Sequence, residues 1–233
     1  MTTSTPNGTV VLVHGAWADG SCWQNIILPL LRWGFRVISA PIPLTSLTDD
    51  VAALERVLER TSGPVILAAH AYAGAVIAAA NHERVVSLVY IAALAPDEGE
   101  TVADVFYRAK PHPDAPQLAP DAHGLIWMPE GGFRRAVAHK ASLDQTTILE
   151  AVQRPIALKC IQEKATAPAW KTKPTWYLIA EEDRMIPLET QRFMAERMNA
   201  NIRTYKVDHS PMHTEPDLVV GVILEAARGA LPG

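Results

Sequence analysis

Only two cysteines occur in the 233 residues, Cys22 and Cys160. Two so widely spaced form neither a disulfide framework nor a metal motif. There is no His/Cys cluster, no G-x-G-x-x-G and no P-loop. The chain therefore implies no metal and no cofactor, whether nucleotide or flavin. No Lys/Arg run is present and the net charge is −4, which argues against nucleic acid or an anionic membrane as the main partner. No uninterrupted apolar stretch is long enough to span a bilayer. The opening "MTTSTPNG" lacks the basic start and apolar core of a signal peptide, and reads as a loose polar tail. A soluble, cytoplasmic protein is the expectation.

What the chain does have is apolar material: 48% of residues are apolar and 20% charged, enough for one domain, or one domain carrying an insertion. "TVVLVHG" (9 to 15), "FRVISAP" (35 to 41) and "PVILAAH" (64 to 70) are continuous apolar runs, ended by Gly or Pro or opened after a Gly-Pro break, and "VVSLVYIAAL" (85 to 94) is a further strand. Such runs suit strands of a parallel sheet covered on both faces. Helical spacing fills the gaps. In "SLTDDVAALERVLERTSG", Asp49 and Asp50 stand in the first turn, where the helix dipole favours negative charge, and Gly63 ends the run. Strands at 174 to 183 and 201 to 208, with helices near 189 to 199 and 215 to 228, complete a doubly wound, mostly parallel α/β sheet. Residues 1 to 94 and 171 to 233 form its core. Residues 95 to 170 break the rhythm with a proline-rich opening and helix-like pieces, and read as a cap inserted over the strand ends.

One junction carries the functional question. In "VILAAHAYAGAV" (65 to 76) an apolar strand meets a small-residue helix through His-Ala-Tyr-Ala-Gly. A G-x-S-x-G elbow places a nucleophilic serine at such a turn, its small flanking residues letting strand and helix approach. Here Ala69 and Ala73 keep the small size, and Ala71 stands at the nucleophile position. The plain alternative is a tight strand-helix junction with no chemistry. Two other segments favour a site. "VLVHGAWADGSCW" offers the Ala16 amide as one oxyanion donor, and the Tyr72 amide would be the other. "AEEDRMIP" and "VDHSPMH" put Asp183 and His209 at the ends of late strands, giving the order nucleophile position, acid, histidine.

On these segments the chain resembles the α/β-hydrolase superfamily over nearly its whole length, and its small esterase, methyl esterase and hydroxynitrile lyase-like members most. The resemblance implies an α/β-hydrolase fold with a helical cap. It also implies an esterase-type site for a small apolar ester or carbonyl compound, with His209 as base and Asp183 as its orienter. Glu181, Glu182 and Asp208 are rival acids. His213 is expected just before a helix capped by Thr214, with Pro216 and Asp217 in its first turn. His14 and His70 are expected to bond backbone around the site. Trp17, Trp127 and Tyr107 are candidate substrate contacts, with Trp23, Phe106 and Met128 as further apolar lining. Ser21 and Cys22 are weaker candidates for a substitute nucleophile.

Ala71 has no oxygen for His209 to deprotonate, so no acyl-enzyme can form there. Three readings accommodate it. The chain is an esterase whose serine has been exchanged for alanine; or the alanine is native and His209 drives non-covalent lyase, isomerase or water chemistry; or the site binds a small ligand without turnover.

Overall fold

The computed structural model describes residues 8–231. The polar start read as a loose tail lies, through residue 7, outside the described residues. The first β-branched run becomes β1 (Thr9–Val13), followed by a 3₁₀ turn at Gly20–Trp23 and α1 (Gln24–Arg32). Gly34, at φ 85, closes that helix and turns the chain into β2 (Arg36–Ala40). Next come α2 (Leu47–Glu59), whose Ser46 hydroxyl caps the Asp49 amide, and β3 (Val65–His70). They are followed by α3 (Ala73–Ala79) and β4 (Val85–Ile91).

The chain then leaves the sheet. Its excursion holds α4 (Val102–Phe106), β5 (Leu125–Ile126), a π-helical turn at Phe133–Val137, and α5 (Leu143–Ala151). It closes with β6 (Ile156–Ala157), paired antiparallel with β5, and α6 (Leu158–Gln162). The legs of this excursion are stitched at the neck: the Gly99 amide donates to the Ala165 carbonyl at 2.9 Å and the Ala165 amide to the Glu100 carbonyl at 2.8 Å. The sheet resumes with β7 (Thr175–Ala180), α7 (Leu188–Arg197) and β8 (Asn201–Tyr205). A short α8 (Pro211–Thr214) and the long α9 (Pro216–Ala230) complete the fold.

All five pairings in the six-stranded sheet are parallel, in the order β2-β1-β3-β4-β7-β8. Alternate residues of each strand feed two cores, as the pleat requires. Val11 and Val13 pack toward α2, α3 and α7, while Val10 and Leu12 pack toward α1 and α9. Strand order reverses between β1 and β3, and the loops leaving these two neighbours open a crevice at their carboxyl ends. The excursion covers that crevice: its Val102, Val105, Ile126 and Ile156 merge with the core beneath.

The last helix starts differently from the sequence expectation. Thr214 does not cap it: the hydroxyl donates to Asp208 Oδ1 at 2.9 Å, and α9 opens at Pro216 without a side-chain cap. Proline in the first turn lacks only an amide that would be unpaired there anyway. His213 falls inside α8.

Candidate active site

β3 delivers His70 to the crevice, and the chain turns sharply at Ala71, which holds φ 49. Left-handed backbone at a non-glycine residue persists only where the surroundings impose it. Here the Leu94 and Gly74 amides both donate to the Ala71 carbonyl, at 2.9 and 3.1 Å. Packing adds to the constraint. A Cβ on Gly74 would lie 2.3 Å from the Leu94 carbonyl oxygen, and one on Gly15 would lie 3.0 Å from the Ala71 Cβ. The closest helix-strand approach thus belongs to Gly74, one residue beyond the small residue expected from the motif.

Facing the elbow is the loop after β1. His14 is buried and donates from Nδ1 to the Gly15 carbonyl at 3.0 Å. Trp17 sits at φ 59, and its indole N–H reaches the Ile126 carbonyl of the excursion at 3.0 Å. Neither the Ala16 nor the Tyr72 backbone amide donates to a protein acceptor among the described residues.

Asp183 and His209 come together as expected. The His209 Nδ1–H donates to Asp183 Oδ2 at 2.7 Å, with both side chains buried. The carboxylate is filled by other donors: the Met185 and Ile186 amides reach Oδ1 at 2.7 and 2.8 Å, and Gln191 Nε2 reaches Oδ2 at 3.0 Å. Nδ1 being committed, the free lone pair of His209 is on Nε2. His70 donates from Nε2 to the His209 carbonyl at 2.7 Å, with ring centroids 4.7 Å apart. Burial first, and the neighbouring His209 second, hold His70 well below the ordinary histidine range. It is a neutral brace on the backbone of the second imidazole.

The rival acids are engaged elsewhere. Asp208 accepts from the amides of Ser210 and Lys140 and from Thr214, Glu182 pairs with Lys140 at 2.6 Å, and Glu181 lies 3.9 Å from Arg192. Cys22 packs in the core beside α1 and α9, where burial pushes its thiol far up, and Ser21 is exposed. Neither borders the cavity.

That cavity encloses about 570 Å³, counted out to its open mouth. Ala16, Trp17, Ala71, Tyr72, Tyr107 and His209 all line it, and Phe106 joins them. Among the described residues no carboxylate, lysine or arginine does. Trp127 is a correction: it is 46% exposed, donates to Asp121 Oδ2 at 3.3 Å, and lies outside the cavity. Its strand neighbour Ile126 points inward instead, because successive side chains of a strand face opposite ways. Met128 and Trp23 are buried in the core and do not line it either. Sequence reasoning missed Gln191, whose carboxamide secures the acid, and the apolar wall supplied by Leu94, Leu118 and Ile156.

The fold is shared with solved hydrolases. A pyrethroid hydrolase from Sphingobium faniae JZ-2 superimposes with a TM-score of 0.82 at 20% identity, over 95% of this chain and 98% of that one. In sequence, the alpha/beta hydrolase nvfD of Aspergillus novofumigatus (strain IBT 16806) is 25% identical, over 95% of this chain and 97% of its own length. Methylesterase 2 of Arabidopsis thaliana is 23% identical, over 93% and 95% respectively. The sequence profile described as the Alpha/beta hydrolase family matches residues 10–222, from β1 well into α9 and across every segment that builds the crevice. On that match the chain belongs to the alpha/beta hydrolase family.

Proposed function

We propose that the cavity is an esterase-type site for a small, uncharged and predominantly apolar ester or carbonyl compound, in which Ala71 occupies the nucleophile position. The observation carrying this reading is the Asp183–His209 pair at 2.7 Å, opening on the cavity that Ala71 also lines. Asp183 fixes the tautomer and ring orientation of His209, leaving Nε2 as a base. The Ala16 and Tyr72 amides supply the donors for an oxyanion on the substrate carbonyl. An apolar wall without a charged anchor favours neutral acyl and alcohol groups. The family's esterase-type relatives support the same class.

With a methyl group at position 71 the acyl-enzyme route is closed, and loss of a nucleophile of this kind costs about 10⁶-fold in kcat. Chemistry without a covalent intermediate stays open. His209 Nε2 can take a proton from water as the oxygen adds to the carbonyl, then return it to the departing alkoxide. The completely coordinated Asp183 favours this second reading, since the base is held in working geometry although no serine is present.

The test compares the chain with its Ala71→Ser variant on short-chain aryl esters, following product release and intact mass. The esterase reading predicts a covalent acyl adduct and hydrolysis in the serine form alone. A serine form that neither acylates nor hydrolyses overturns it. The non-covalent reading predicts turnover by the chain as it stands that His209→Ala abolishes, and turnover surviving that change removes His209 as the base.

A further inference from the structure

We infer that Asp50 is a positioning residue for the oxyanion site, its carboxylate holding the Tyr72 phenol and thereby fixing the backbone amide that follows the elbow. The assignment of that amide as an oxyanion donor rests on the reading proposed above; the tether itself does not. Asp50 is fully buried in the first turn of α2 and has no cation partner among the described residues. Its charge is met by neutral donors from three separate segments. The Tyr72 hydroxyl donates to Oδ2 at 2.6 Å, the Leu44 amide to Oδ1 at 2.7 Å, and the Cys160 thiol lies 3.6 Å from Oδ2. Burial pushes the Asp50 carboxyl up from its ordinary value, and the contacts with Tyr72, Leu44 and Cys160 oppose that shift.

The location matters because the tether adds a side-chain hold at residue 72 to the Leu94 and Gly74 bonds on the Ala71 carbonyl and to the burial of the Tyr72 ring. Tyr72 is the N-cap of α3, and no side chain caps that helix. The helix is one of small residues, AGAVIAA, which offer few atoms with which to grip their surroundings. Tyr72 itself has ordinary backbone angles, but it directly follows Ala71 at φ 49, so the direction of its amide depends on holding a strained turn. The phenol reaching across to α2 is a further, side-chain hold on that turn. Asp50 also connects this hold to the excursion. Leu44, held by Oδ1 at φ 62, accepts from the Ala157 amide of β6 at 2.9 Å, and Cys160 belongs to α6. One carboxylate therefore joins the elbow, the loop after β2 and the covering segment.

The two oxygens separate positioning from mere architecture. Oδ1 shapes the Leu44 loop, whereas Oδ2 holds Tyr72, so Tyr72→Phe removes only the second contact and keeps the ring. In the chain as it stands, ¹⁵N relaxation should show the residue 72 amide falling from about 0.85, typical of rigid backbone, toward about 0.6 in Tyr72→Phe and Asp50→Leu. Asp50→Asn, which keeps an acceptor, should restore most of the rigidity. In the Ala71→Ser background, Tyr72→Phe should lower kcat about 10-fold, less than outright loss of a donor, with KM changed under about twofold. Asp50→Leu should cost less in kcat when added to Tyr72→Phe than when made alone, because the contact they share is already gone, although the Leu44 contact is lost as well. Should Asp50→Leu fail to fold, Tyr72→Phe still decides. An unchanged order parameter in folded Tyr72→Phe overturns the tether, and a kcat indifferent to Tyr72→Phe in an active Ala71→Ser form overturns the positioning role. A loosened amide alongside an inactive Ala71→Ser form sustains the tether and retires the esterase reading instead.

Discussion

Replacing Gly74 with alanine would drive a methyl group into the backbone of the strand-helix crossing. The new Cβ would meet the Leu94 carbonyl oxygen at 2.3 Å, the Ala93 Cβ at 3.0 Å and the Leu94 carbonyl carbon at 3.1 Å. The nearest atom is backbone, so no side-chain rotation relieves it, and α3 or the chain after β4 must move by the better part of an ångström. Leu94 cannot move freely, because its amide holds the Ala71 carbonyl at 2.9 Å. Overpacking of this kind costs about 1–3 kcal/mol, and a weakened hydrogen bond adds about 1 kcal/mol. The gain in helix propensity from Gly to Ala returns at most about 1 kcal/mol. The net is a loss of about 1–3 kcal/mol, or about 2–12 °C in Tm for a chain of this size. Gly221 supplies the control. It sits in the middle of α9, and its added Cβ would meet nothing within 4 Å. Gly221→Ala should stabilise by about 0.5–1 kcal/mol through backbone entropy alone. Thermal unfolding followed by far-UV circular dichroism reads both signs. If Gly74→Ala melts at or above the parent temperature, the close crossing is not a constraint and the account of the elbow fails.

Acid should weaken the fold through two histidines. His14 and His70 are held below the ordinary histidine range, both chiefly by burial. The unfolded chain gains protons near pH 6.5 that the native one refuses, so stability is complete above that pH and declines as pH falls through it. Each group contributes at most about 1.4 kcal/mol between pH 7.5 and 5.5, and urea unfolding should show lower stability at pH 5.5 than at pH 7.5. Equal or greater stability at pH 5.5 contradicts this. At the mouth, Tyr107 is 53% exposed and lines the cavity. In the Ala71→Ser background, Tyr107→Ala should raise KM for aryl esters about 3–10-fold, the worth of one aromatic contact, while Trp127→Ala leaves KM in place. The reverse ranking would put the substrate elsewhere.

The inner strands of the sheet were legible because they are buried on both faces. β1 and β3 lie within a residue or two of the apolar runs that announce them, and β7 starts one residue late and ends three residues early. The site's skeleton was legible for a related reason. The ends of parallel strands are where loops converge, so Ala71, Asp183 and His209 could be placed from order alone. The excursion was harder to read. β5 and β6 are two residues each and pair across 30 residues of chain, which leaves no local period. α4 did carry a signal, a Thr101–Asp104 capping box, but it spans only five residues. Asp50 was read as a first-turn acid facing the helix dipole. Its actual partners, Leu44 and Tyr72, belong to other segments, and nothing within α2 discloses them. Aromatic character alone misled at Trp127, where the neighbour Ile126 faces the cavity.

The stitched neck of the excursion has a consequence for how such a protein can change. Residues 99 and 165 are joined by backbone bonds that need no particular side chain. Everything between them is, mechanically, a ring pinched shut at its base. The entropy of closing a loop grows only slowly with its length, so residues can be gained or lost inside the ring at small cost, and the pairing of β4 with β7 need not register the difference. The acid and histidine lie outside the ring, and much of the apolar wall lies inside it. The fold thus divides inheritance in two: the acid–histidine pair is tied to the sheet, and much of the cavity wall can be rewritten separately.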